Sequence, residues 1–120
     1  MLVKEITYED YNGKSQTESF YFNLTKTELT EMEFSQSEGF EKFLQTVIDT
    51  DDRKTLIELW KNLILKSYGQ KSPDGKSFIK STELSLAFSQ TAAFDTLFME
   101  LATDAEKAAA FVTGIVPKNL

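Results

Sequence analysis

Carboxylates are the only side chains in this sequence whose types and spacing could do chemistry. Asp49, Asp51 and Asp52 stand close enough to offer several oxygens to calcium or magnesium. An EF-hand loop also needs a central glycine and a distant glutamate, and neither follows here. Short acidic side chains break one helix and cap the next, which accounts for the same cluster. Glu31 with Glu33, and Glu38 with Glu41, have the spacing of paired acids for proton transfer, but no nucleophile or base converges on them. The stretch from Gly69 to Gly75 lacks the GxxxxGK[ST] arrangement that cradles a phosphate. Histidine and cysteine are both absent. That removes the usual general base, thiolate metal sites, and serine–histidine or cysteine–histidine nucleophilic schemes. The sequence therefore nominates no catalytic residue, cofactor site or metal ligand, and the chain is not expected to be an enzyme.

Composition narrows the partners. The chain has 120 residues, 41% of them hydrophobic and 27% charged, enough for one domain with a real core. Its net charge of −6 repels phosphate backbones, so nucleic acid is not an expected partner. Lys61, Lys66, Lys71, Lys76 and Lys80 make one region locally basic, which reads as a solvated helix face followed by a turn. No charged leader precedes an apolar run, and no run approaches a membrane span, so a cytosolic protein without membrane contact is expected.

The elements that must position any site follow from hydrophobic periodicity. Leu2, Lys4, Ile6 and Tyr8 alternate with Val3, Glu5 and Thr7, and Phe20, Phe22 and Leu24 alternate with Tyr21 and Asn23. Asn12-Gly13 between them predicts a two-residue type I′ turn, hence an antiparallel hairpin over 2–24. Thr25 and Glu28 form a capping box that opens a short helix to about Phe34, with Leu29 and Met32 inward. Phe40, Phe43, Leu44, Val47 and Ile48 make a second helical stripe. Leu56, Leu59, Trp60, Leu63 and Ile64 make a third, central helix, with Gly69 expected to end it in a left-handed cap. Ser72-Pro73-Asp74-Gly75 is a turn, after which Phe78 and Ile79 can pair with the chain before it. Three more helices open on Ser81, Thr91 and Thr103, the last ending at Gly114. The expected fold is α+β and predominantly α: one domain over 1–120, with a hairpin (2–24) packed on about five or six short helices (25–114) and a tail (115–120).

Ten phenylalanines sit mostly on these short helices. Most must be core, but alanine-rich helices leave shallow grooves suited to a partner segment. The alanine-rich last helix covers little area, so Phe88, Phe111, Ile115 and Val116 are the candidate partner-binding residues. Truncation after Gly114 is then expected to spare the fold.

Three strings together carry a family resemblance. They are Phe20-Tyr-Phe-Asn-Leu-Thr-Lys-Thr-Glu-Leu29, Leu65-Lys-Ser-Tyr-Gly69 with Ser72-Pro-Asp-Gly75, and Phe98-Met-Glu-Leu-Ala-Thr-Asp-Ala105 with Gly114-Ile-Val-Pro117. In this combination the chain resembles tail assembly chaperones of long-tailed phages and prophages of Gram-positive bacteria. The resemblance implies a non-catalytic morphogenesis factor in the host bacterial cytoplasm. It would bind tape-measure protein, major tail (tail-tube) protein or both, with self-association left open. Two other classes stay open at this point: a structural head or tail component kept in the virion, and a small acidic inhibitor of a host enzyme. The resemblance further implies products of two lengths, made by ribosomal frameshifting near the end of the first frame. Lys118-Asn119 can be encoded by a slippery A-AAA-AAC run if the preceding codon ends in A, so this chain is expected to be the short form.

Overall fold

The computed structural model describes residues 1–31 and 53–117. Their order is β1 (Leu2–Glu9), β2 (Ser15–Phe22), α1 (Lys26–Glu31), α2 (Arg53–Ser67), β3 (Tyr68–Lys71), β4 (Phe78–Ile79), α3 (Thr82–Ser89), α4 (Ala92–Thr103) and α5 (Ala105–Ile115). The four strands lie side by side in chain order, every neighbouring pair antiparallel. Two strands followed by mainly helical chain make the α+β architecture expected from the periodicity. The stripe at 40–48 and the acidic cluster Asp49, Asp51 and Asp52 lie outside the described residues, as do residues 118–120.

The register of the hairpin is set at its turn. Asp10 N–H donates to the Lys14 carbonyl at 2.8 Å, and Gly13 N–H donates to the Asp10 carbonyl at 2.9 Å. Three residues therefore lie between the closing pair, not the two of a type I′ turn. The reason is local: the Asp10 carboxylate accepts Asn12 N–H and Lys14 N–H, each at 2.9 Å, and Gly13 supplies the positive φ of 81° that a bulged loop requires. Leu2 then pairs with Phe22, Lys4 with Phe20 and Ile6 with Glu18. Side chains alternate across a strand, so Ile6 and Phe22 reach the buried face while Val3, Glu5 and Thr7 stay exposed.

Helices cover that buried face. Trp60, Leu63 and Ile64 of α2, Phe88 of α3, Leu97 and Leu101 of α4, and Phe111, Val112 and Ile115 of α5 share one core with Phe22 and Leu24. The chain leaving β2 closes two helix ends at once. Asn23 N–H donates to the Ser67 carbonyl and Leu24 N–H to the Ile115 carbonyl, both at 2.8 Å, satisfying acceptors that helix termini leave open.

Local signals decide most boundaries. Thr25 and Glu28 form the reciprocal capping box, at 2.9 and 3.1 Å. Ser81 caps α3 and Thr91 caps α4. The last helix opens on Asp104, one residue later than expected. Its carboxylate accepts two amides, whereas the Thr103 hydroxyl donates back to Met99 inside α4. That helix also runs one residue past Gly114, because Ile115 still packs in the core. Gly69 does not cap α2. It lies in β3, where any Cβ would fall 2.6 Å from the Phe78 ring and 2.8 Å from the Ile79 carbonyl oxygen, so glycine is needed for close approach and not for a left-handed turn. Gly75 does take a positive φ, 75°, in the turn before β4.

Two substitutions test this packing. Trp60, 3% exposed, should cost roughly 3–5 kcal/mol when changed to alanine, read by denaturant titration followed by circular dichroism. Gly69→Ala should cost about 1–3 kcal/mol through overpacking against backbone, although it only adds a methyl group.

Candidate functional site

The four nominated binding residues are placed mostly inside the molecule. Phe88 and Phe111 are each 3% exposed, Ile115 is fully buried, and Val116 alone is partly exposed. Phe88 stacks on Tyr68, ring centres 4.2 Å apart, and lies edge-on to Phe94 at 5.7 Å. Phe111 meets the Phe22 ring edge-on at 5.3 Å. The expectation that these residues form exposed surface is thus corrected. Of the alanines that suggested a thin cover, Ala108 is buried in the core and Ala105, Ala109 and Ala110 face outward. Truncation after Gly114 would remove buried Ile115 and the carbonyl that receives Leu24 N–H, so it would not spare the fold.

Exposed apolar side chains lie elsewhere: Leu86 on α3, Ile57 on α2, Met99 on α4, Ile79 on β4 and Val3 on β1. Leu86 is two residues from Phe88 and so points to the opposite side of the same helix. Sequence reasoning passed over it because a short helix that is apolar on both sides does not reveal which side is inward.

Charged groups serve to tie elements together. Lys80 Nζ donates to the Asn23 carbonyl at 2.6 Å and to Glu28 Oε2 at 2.5 Å, joining the end of the hairpin, α1 and the strand pair β3–β4. Partial burial pushes Glu28 up, but hydrogen bonds from Lys80 and from Thr25 outweigh it and hold the carboxyl below its usual range. Glu100 lies between Lys4 of β1 and Lys107 of α5, each at 3.2 Å. Burial again pushes it up, and the two lysines pull it lower overall. At the hairpin, the Tyr8 hydroxyl donates to Glu18, and that bond is the main reason its pKa is pushed up to about 12. Asp10 is held low by Gln16 and by the Lys14 amide.

None of this converges on a reacting position. Lys80 leaves the basic stretch for its interior contacts, while Lys61, Lys66, Lys71 and Lys76 stay exposed. Glu31 is exposed, and Glu33, Glu38 and Glu41 lie outside the described residues. Among the described residues no three acidic side chains gather as metal ligands. An open cleft forms where β3 diverges from β2, lined by Phe20, Tyr21, Tyr68, Gln70 and Lys71. Glu18 borders it, already engaged by Tyr8.

Comparison with known proteins identifies a family. The whole chain, residues 1–120, matches the family model described as phage tail assembly chaperone. The chain belongs to this phage tail assembly chaperone family. No match was found among curated proteins or among solved structures. Family membership assigns a role in phage tail assembly and morphogenesis, and it implies work done by binding and not by catalysis. Among the described residues of the chaperone, no helix is long and apolar enough to cross a membrane.

The lysine clamp gives two expected outcomes. Lys80→Met should cost roughly 1–3 kcal/mol, since it leaves Glu28 and the Asn23 carbonyl partly buried without their partner. Glu28 and Glu100 titrate lower in the folded state than their ordinary 4.5. Their contribution is therefore present above that value and is lost as pH falls through the folded values. Thermal midpoints measured downward from pH 6 should fall in that window, and less steeply in a Glu28→Gln/Glu100→Gln variant.

Proposed function

We propose that this chaperone holds tape-measure protein, major tail protein or both in the host bacterial cytoplasm until assembly, and does not enter the virion. The observation that carries the reading is the family match over residues 1–120. The molecule's own chemistry is compatible with it: charged groups tie elements together, and exposed apolar side chains such as Leu86 and Ile57 offer contact surface. Of the four nominated residues, Val116 is the one that can touch a partner in this conformation. Phe88, Phe111 and Ile115 would act through stability.

Co-expression with each tail protein is the test. The chaperone should be retained by tagged tape-measure or major tail protein, should keep it soluble, and should be missing from purified virions by mass spectrometry. Val116→Ser should lower capture several-fold when read well below the variant's own thermal midpoint, since Val116 also packs against the core. Presence in virions at structural copy number would instead make it a tail or head component. Loss of capture of both tail proteins would remove the holding role.

A further inference from the structure

Helices α4 and α5 are separated by one residue. Asp104 is at once the end of α4 and the N-cap of α5, with φ −133° and ψ 105°. The buried residues on either side are in phase. Ala93, Leu97 and Leu101 of α4 and Ala108, Val112 and Ile115 of α5 are all buried. On one uninterrupted helix at 3.6 residues per turn they would lie within about 60° of the Leu97 direction, in a stripe that Asp104 interrupts near its centre and Glu100 at its edge. The observed fold does not require this agreement, because α5 there turns back at Asp104 and meets the sheet independently.

We propose that α4 and α5 can fuse through Asp104 into one helix, and that two copies of this chain exchange α5 to form a reciprocal dimer. Each α5 would seat on the other copy's α4 and β1. The Phe22–Phe111 contact, the Glu100–Lys107 pair and the Leu24–Ile115 hydrogen bond would each be remade across the copies. Only the hinge differs between the two forms. The closed form keeps the Asp104 bonds to the Glu106 and Lys107 amides, at 3.0 and 3.2 Å. The fused form replaces them with helical backbone hydrogen bonds.

The hinge can be biased both ways. Asp104→Ala removes the cap and supplies the strongest helix former, favouring fusion. Ala105→Pro does the reverse. Proline fits the first position of a helix and holds the residue before it extended, as Asp104 already is, but it breaks a continuous helix. The chain has no cysteine, so a reporter bond can be added cleanly. A Cβ at Gly114 would lie 3.3 Å from Leu2 Cβ, close to disulfide range. In a Leu2→Cys/Gly114→Cys chain the bond forms within one copy when closed and between copies when exchanged.

This double variant, oxidised over a range of protein concentrations, would be compared with the same chain carrying Asp104→Ala or Ala105→Pro, by non-reducing gel and light scattering. The expected result is a disulfide-linked dimer that grows with concentration. Its association constant should rise at least ten-fold with Asp104→Ala and fall at least ten-fold with Ala105→Pro, without loss of thermal stability in the proline variant. If Asp104→Ala unfolds the chain, the loss of the dimer in Ala105→Pro decides alone. Equal dimer fractions in all backgrounds, monomers only, or dimers whose disulfides are all within one copy would overturn the proposal.

Discussion

The structure depends on one side chain meeting a strand and two helices. Phe22 is fully buried at the end of β2, and its ring lies 5.3–5.9 Å from those of Tyr68, Phe88 and Phe111. These residues follow α2, belong to α3 and belong to α5. A two-stranded hairpin is marginal on its own in water, so burial of its aromatic face supplies what its hydrogen bonds cannot. The backbone takes part at the same place: the two residues after Phe22 close the carbonyl ends of α2 and α5. Side-chain burial and helix termination are thereby coupled at one point in the fold.

Ion pairs reinforce this arrangement without creating it. Glu100 connects β1, α4 and α5, while Glu28 and Lys80 connect α1 with the strand pair. All are partly exposed, where such pairs are individually weak, and their effect lies in fixing which elements meet. Reciprocal exchange of α5 would add a second way of using the same internal contacts.

Much of the fold was legible in the sequence because period and capping agreed. The hairpin alternation, the Thr25–Glu28 box, the Trp60 stripe and the Ser81 and Thr91 caps each predict what is found. The errors came where another contact, local or tertiary, overruled the signal that was read. Asn12-Gly13 suggested the shortest turn, but the Asp10 carboxylate organised a longer one. Gly69 looked like a helix stop, yet the Phe78 ring explains the missing side chain. The burial of the nominated residues was the least legible part. Phe88, Phe111 and Ile115 look available in a list of residues and are enclosed once the sheet and helices meet. The family was readable because it rests on several strings taken in order, which need no knowledge of burial.

The coupling at Phe22 can be measured directly. Trp60 is the only tryptophan, buried on α2, so its fluorescence reports the helical side while circular dichroism reports the whole chain. Phe22→Ala should lower stability by roughly 3–5 kcal/mol in a urea titration, with both signals moving to the same new midpoint. A Trp60 transition left at its original midpoint, while the other signal shifts, would show that the helices do not depend on the hairpin and would contradict this account.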